Sequence, residues 1–408
     1  NRIDEVTYHP AYHEFMALSK KHGLIGRPKR EAKEGSHVAR AAIAYMTVQV
    51  EAGHGCPASM TNAAIDTILK QPEIADEWIP KIISDKYDER NIVHTKKDSV
   101  TIGMAMTEKQ GGSDVRQNST KAYAIGESGP GKTYELVGHK YFVSAPMSDA
   151  FLTLAQTDKG LSCFLVPRWR PDGTKNPLQI IRLKDKMGNI SNASGESELR
   201  GAMGWLIGEE GRGAANILEM VAMTRFDSLV ASAASMRQHL TQIVHHTSHR
   251  NAFGSTLDKQ PLMQNVLADL ELETEAATHM AFRIARSLDG KAAGNDEENS
   301  LSRITIALGK YWICKRHSAH AAEAMECIGG AGVMENGIMA RFYREAPING
   351  IWEGSGNVQC LDLLRIMAKD PMAVGIFIKE LEKASGKDSR YDDFLISLKK
   401  EFTNLDDM

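Results

Sequence analysis

The chain has 408 residues, enough for two or three domains or layers rather than one core. Hydrophobic residues make up 42% and charged residues 25%, the balance of an ordinary globular protein. A net charge of −3, from 49 basic and 52 acidic side chains, argues against whole-chain attraction to nucleic acid or anionic membrane, though not against a local basic site.

No apolar run approaches the ~20 residues that span a bilayer, so no membrane span is expected. The cysteines, Cys56, Cys163, Cys314, Cys327 and Cys360, are scattered and form no CxxC pair. A disulfide framework or zinc site is therefore not expected, and a reducing, intracellular setting fits, mitochondrial or cytoplasmic. The chain opens on Asn1 rather than Met, so a preceding targeting segment is compatible with it.

Residues 1–98 read as a helical domain. Val38 to Val50 has no Pro or Gly and carries apolar residues at helical spacing, and a second helix is expected from about Ser59 to Leu69. Residues 99–205 read as a small β-domain. Its expected strands are Thr101 to Thr107, Tyr134 to Ser144, Ala150 to Gln156, Leu161 to Pro167 and Leu178 to Leu183, punctuated by Gly, Pro, Asp and Ser. Residues 206–370 return to the helical period. Leu218, Val221, Ala222, Leu229, Val230 and Ala233 mark one stripe, with further helices from about Leu262 to Leu288 and Leu301 to Cys327. Long helices with short connections make a bundle. Residues 371–408 form a tail or the start of a further helical region. Its charges alternate from Lys379 to Phe402, the mark of a solvated helical face and not of a basic arm. The expected class is α+β: helices, then sheet, then bundle.

Three segments bear on chemistry. Met106-Thr107-Glu108-Lys109-Gln110-Gly111-Gly112-Ser113-Asp114 follows a strand and ends in a Gly-Gly turn flanked by hydroxyls, suited to a polar heterocycle or phosphate, or else to a plain surface turn. In Lys140-Tyr141-Phe142-Val143-Ser144, alternation puts Phe142 and Ser144 on one face, either a stacking platform with a hydroxyl or an aromatic core strand. In Ile351-Trp352-Glu353-Gly354-Ser355-Gly356-Asn357, a carboxylate between Trp and Gly precedes an apolar helix. Desolvation there would raise its pKa toward that of a useful base, while Ser355 or Asn357 suits a helix cap. His245 and His249 stand four apart, but no third ligand is evident and no metal is expected.

Taken in order, these segments resemble the acyl-CoA dehydrogenase superfamily over nearly the whole chain. Gly329-Gly330-Ala331-Gly332, with Arg341 and Arg344 downstream, is similar to a second signature of that family. The wording of Met106 to Asp114, Leu183 to Ser194 and Arg341 to Glu345 resembles its AidB-like branch, which includes animal fatty acyl-CoA dehydrogenase homologues. The fold so implied has an N-terminal helical domain, a small central β-domain and a C-terminal helix bundle.

The resemblance implies FAD as cofactor, with Thr107, Phe142 and Ser144 at the flavin and Ser113 at the thioester arm. Arg250, Phe253 and Gln260 would meet the FAD pyrophosphate and adenine. Glu326, Gly329 and Gly330 would reach the FAD of a neighbouring subunit, so a homo-oligomer, a dimer of dimers, is implied. Ser355 and Asn357 would lie beside the base. Thr224 and Arg225 would contact the pantetheine arm, and Ala64 would leave room at the floor of the acyl tunnel. Glu353 matches the family's base. The alternative base on a bundle helix is absent, because Thr224 occupies its place before Arg225.

The implied reaction is α,β-dehydrogenation of a medium- or long-chain fatty acyl-CoA, with hydride transfer to flavin N5 and electrons passed to an electron-transfer flavoprotein. Two other readings stand beside it: an acyl-CoA oxidase, and a flavin-bearing stress protein that meets nucleic acid through parts outside this chain. Three departures are evident. Glu326 replaces the common Gln near the pyrophosphate, and Ile190 and Asn192 replace an Arg and a Ser near the coenzyme A head group.

Overall fold

The computed structural model describes residues 4–403. Five helices come first: α1 (Pro10–Lys21), α2 (Arg27–Glu31), α3 (Ser36–Val48), α4 (Gly55–Ile68) and α5 (Pro72–Ile82). Proline stands in the first turn of α1, α2 and α5, where its missing N–H has no intrahelical acceptor to leave unmet. Helix α4 is covered on both sides. Ala63, Ala64, Ile65 and Ile68 pack with Trp78 and Ile82 of α5 and with the sheet that follows, while Ala58 joins the core of the C-terminal bundle.

Seven strands build the middle of the chain: β1 (Ile102–Ala105), β2 (Lys121–Ala124), β3 (Thr133–Ser144), β4 (Ala150–Thr157), β5 (Gly160–Pro167), β6 (Leu178–Leu183) and β7 (Ser194–Ile207). Their order is β1-β4-β2-β3-β7-β5, with β6 on β7, and a β4–β5 pairing closes the sheet into a barrel. Tyr134, Leu136, Val143, Phe151, Phe164 and Leu206 fill its interior. The outer faces of β4 and β5, through Leu152, Leu154, Cys163 and Leu165, pack on α4 and α5. Buried on both faces, these two strands are near-continuous apolar runs, whereas β3 alternates. A register shift between Lys140 and Val143 interrupts that alternation, so both of those residues are buried.

The C-terminal bundle holds α6 (Gly213–Asn216), α7 (Leu218–His249), α8 (Pro261–Ala292) and α9 (Asp296–Ile328), with a hairpin of β8 (Asn251–Ala252) and β9 (Ser255–Thr256) between α7 and α8. Helix α7 runs 32 residues without Gly or Pro. Asn295 caps α9 by accepting from the Glu298 N–H, and three acidic residues occupy its positive first turn. Gly309, midway along α9, lets α7 and α8 approach: a Cβ there would stand 3.2 Å from Leu229 and Ile284. Among the described residues five helices follow: α10 (Met339–Glu345), α11 (Ile348–Ile351), α12 (Gly356–Lys369), α13 (Pro371–Glu382) and α14 (Ser389–Thr403). The charged stretch from Lys379 to Phe402 falls on α13 and α14, with Gly386 at positive φ between them. Among the described residues no helix is long and apolar enough to cross a membrane.

Candidate active site

The Thr107 to Ser113 loop is anchored from below by a buried ion pair. Lys140 and Glu108 are each 1% exposed and meet at 2.8 Å. Glu108 also accepts from Ser119, Thr120 and the Gln110 amide, so six donors converge on one carboxylate. Burial opposes its ionisation, but Lys140 and the hydroxyls overcome this and hold it well below the usual carboxylate range. The Tyr141 N–H donates to the Thr107 carbonyl at 2.9 Å, tying the loop to the bulge of β3. The glycine at 112 is sterically required, because a Cβ there would lie 2.7 Å from the Thr107 hydroxyl.

Glu353 sits between α11 and α12 at φ 58, with Gly354 at φ 94. The backbone around it is gripped from three helices. Lys310 of α9, itself buried, donates to the carbonyls of Trp352 and Gly354 at 2.7 Å each. Gln359 of α12 donates to the carbonyls of Glu353 and Gly354. Arg225 of α7 donates to the Glu353 carbonyl at 3.0 Å and pairs with Asp362. The Glu353 carboxylate accepts from the Thr224 hydroxyl at 2.7 Å. Burial raises its pKa, against the opposing pull of that hydroxyl, Lys310 and Arg225. A half-buried carboxylate with a raised pKa is a proton acceptor of useful strength.

Both segments open onto one cavity of about 1810 Å³. Thr107, Ser113, Phe142 and Ser144 line it from the barrel, Thr224 and Arg225 from α7, and Glu353 and Ser355 from the opposite loop. The Ser144 hydroxyl lies 3.2 Å from that of Ser194, its partner across the β3–β7 ladder. Ser355 occupies the N-cap position of α12 but makes no side-chain cap bond, and Asn357 is exposed and off the cavity. The capping role expected for these two is therefore corrected: the loop is held by Lys310 and Gln359 instead. Ala64 is fully buried in the core between α4, α5 and the sheet and does not line the cavity. The residues of α4 that do are Gly55, Cys56, Ser59, Met60 and Asp66.

Arg250, Phe253, Gln260, Glu326, Gly329 and Gly330 stand apart from this cavity, on the β8–β9 hairpin, the start of α8 and the end of α9. Phe253 is 97% exposed, and Glu326, Gly329 and Gly330 are also exposed.

Lys310 and Gln359 were not found from the sequence. Lys310 did leave a signal: it stands at helical spacing among Ile306, Ala307, Ile313 and Cys314, a charge on a buried stripe. Cys56 also lines the cavity, but burial and the nearby Glu353 charge push its thiol up to about 12, so it is no nucleophile at neutral pH.

The residues present fit a flavin. Phe142, 42% exposed in the chain, lines the cavity beside the hydroxyls of Thr107 and Ser144, with the Trp352–Ser355 backbone opposite. An aromatic face with two hydroxyls at its edge suits a flat heterocycle with polar rims.

Comparison with known proteins agrees with this geometry. Residues 1–89 match the model of the adaptive response protein AidB N-terminal domain, 103–202 the acyl-CoA dehydrogenase middle domain, and 211–368 the acyl-CoA dehydrogenase C-terminal domain. The chain is 44% identical over 395 residues to AidB of Escherichia coli, covering 96% of this chain and 72% of that one. It is 32% identical over 358 residues to acyl-CoA dehydrogenase family member 11 of Caenorhabditis elegans, covering 83% of this chain and 56% of that one. The solved structure of Caenorhabditis elegans ACDH-11 in complex with C11-CoA superposes with a TM-score of 0.90 at 29% identity, over 99% of this chain and 71% of that one. The chain belongs to the acyl-CoA dehydrogenase family of FAD-dependent oxidoreductases, in its AidB branch.

Proposed function

We propose that this protein catalyses the α,β-dehydrogenation of a medium- or long-chain acyl-CoA, with Glu353 as the base. The observation that carries this reading is the Glu353 carboxylate, raised in pKa, facing the cavity from a loop that Lys310, Gln359 and Arg225 hold rigid. Glu353 takes the α-proton of the thioester. Thr224 orients its carboxylate by donating to one oxygen and leaves the other for the proton. No carboxylate stands at position 224 to compete. When bound, FAD supplies the oxidant that accepts a hydride from the β-carbon.

Ser113 reaches the cavity from the barrel side, where the thioester arm would pass. Arg212, Arg303 and Lys369 are exposed and line the cavity rim, a cationic edge suited to the phosphates of coenzyme A. The C11-CoA held by the worm relative supports a chain of medium or long length. Electron-transfer flavoprotein is the proposed acceptor of the electrons.

We also propose that FAD is completed between subunits of a homo-oligomer, a dimer of dimers. The exposure of Phe253, Glu326, Gly329 and Gly330 supports this, since a pyrophosphate- and adenine-binding set so placed needs another surface to close it. A stable monomer with full FAD content, found by light scattering, would overturn it.

Anaerobic titration of the FAD-loaded protein with acyl-CoAs of increasing length tests the central reading. The expected result is bleaching of the flavin with an optimum in chain length, and slow reoxidation in air. Absence of bleaching with every acyl-CoA would sink the reading, and rapid reoxidation by oxygen would make the enzyme an oxidase.

A further inference from the structure

Two lysines follow β6, and the structure treats their charges differently. Lys184 lies over the rings of Tyr141 and Phe142, 3.3 and 4.4 Å from their centres, and pairs with Glu196 at 2.8 Å, so its charge is matched. Lys186 lines the cavity and makes no ion pair among the described residues. Its ammonium donates to the Asn192 carbonyl at 2.5 Å and to the Ser194 hydroxyl at 2.9 Å. Glu345 lines the cavity too, but its carboxylate accepts from the Asn189 N–H at 2.8 Å. Burial lowers the Lys186 pKa and raises that of Glu345. The two acceptors in front of Lys186 hold it in the donor role.

The contacts of Lys186 set a direction. An ammonium only donates. Ser194, 4% exposed, accepts from it and keeps its own proton for Ser144, whose oxygen lies 3.2 Å away across the β3–β7 ladder. Ser144 accepts in turn, and its proton is left for the cavity that it lines. Cys56 stands beside Ser144, but burial pushes its thiol up to about 12, so it stays protonated and brings no negative charge to this corner. The result is a relay of three side chains. Its inner end is an unmatched positive charge, and its outer end is a hydroxyl fixed as a donor.

Resting on the placement of the flavin against Phe142 and Ser144, we infer that Lys186 is a positioning residue for the reaction. Through Ser194 it fixes Ser144 as a donor to the polar edge of the flavin, and its charge favours the reduced ring. Hydride transfer from the β-carbon brings one proton and two electrons to a neutral ring and leaves it with a negative charge, while the α-proton goes to Glu353. A cation without a counter-charge, two hydrogen bonds from Ser144, favours the product of that transfer over the reactant. Lys184 does not do the same, because Glu196 offsets it.

The test is the two-electron midpoint potential of the bound FAD, measured without air against a reference dye. Lys186→Met is expected to shift the ratio of reduced to oxidised flavin about tenfold toward the oxidised form, a fall of about 30 mV for a two-electron couple. Lys186→Arg keeps the charge and should hold the potential near that of the unmutated protein. Ser194→Ala breaks the relay, keeps the charge, and should lower the potential by a smaller step. It removes a single oxygen and decides the case if Lys186→Met does not fold or hold FAD. Ser144→Ala tests the placement itself and should alter both the potential and the flavin absorption spectrum. An unmoved potential in Lys186→Met, even with lost thermal stability, would mean that Lys186 only ties down its loop. Equal falls in Lys186→Met and Lys186→Arg would mean that charge is not the cause. Either result, obtained while Ser144→Ala does shift the flavin, overturns the inference and leaves the placement standing. An unchanged potential and spectrum in Ser144→Ala would remove the placement, and the inference with it.

Discussion

Two short loops in this molecule share a backbone and differ in everything else. Glu353-Gly354 has φ values of 58 and 94, and Phe253-Gly254 has 52 and 86. Each pair places a side chain in the left-handed region, which costs about 1–2 kcal/mol for a residue with a Cβ. At Glu353 that cost is offset within the chain by Lys310, Gln359, Arg225 and Thr224. At Phe253 nothing among the described residues covers the ring, which is 97% exposed. The same strained geometry therefore holds one group rigid inside the protomer and presents another outward. The first is held by partners from its own chain; the second has no such cover among the described residues.

The largest expected effect separates the carboxylate from the loop that carries it. Glu353→Gln should keep the fold and FAD yet lose flavin reduction by acyl-CoA by more than the ~10²–10⁴-fold typical of one general base, since no second base stands at Thr224. Stopped-flow reduction at near wild-type rate would end the assignment.

Lys310→Met attacks the grip on the loop. Two carbonyls lose a charged donor, and the expected loss of stability is about 3 kcal/mol. Thermal unfolding should show this together with slowed flavin reduction. A stable, fully active variant would mean that the loop holds itself.

Thr224→Val should act through pH. The hydroxyl lowers the Glu353 pKa against burial, so its removal raises that pKa further. The base works only when deprotonated. Activity should therefore fall at the acid side of the kcat/KM profile, with that limb moved to higher pH and the plateau at high pH kept. A limb that stays in place or moves to lower pH would show that the hydroxyl does not tune the carboxylate.

The smallest effect on stability belongs to the other loop. Phe253→Asn should leave the isolated fold within about 1 kcal/mol or stabilise it, because Asn tolerates the left-handed region better. FAD retention and subunit association should nevertheless weaken, as read by flavin absorbance after gel filtration and by light scattering. Unchanged flavin content and mass would show that the exposed ring serves neither.

Much of the frame was legible because local chemistry and tertiary demand agree. The 3.6-residue period marks α7, α8 and α9, whose inner faces meet one another. The continuous apolar runs of β4 and β5 announce strands covered on both sides. Strand β2 escaped notice because it is four residues long with one buried side chain. The bulge in β3 was also hidden: it depends on pairing with β7, not on any residue of its own.

The sequence by itself determined the order of helices, barrel and bundle, and the presence of a carboxylate in a Trp-Glu-Gly turn ahead of a helix. Both are properties of neighbouring residues, which periodicity and turn chemistry record. Only the tertiary structure decided what that carboxylate meets. Thr224 lies 129 residues away and Lys310 on another helix, and no local pattern encodes such a meeting. The same reason sent Ala64 into the core and Cys56 and Met60 to the cavity. Helix α4 is buried against α5 and the sheet on one side and against α7 on the other, so its hydropathy has no contrast to show which face is which.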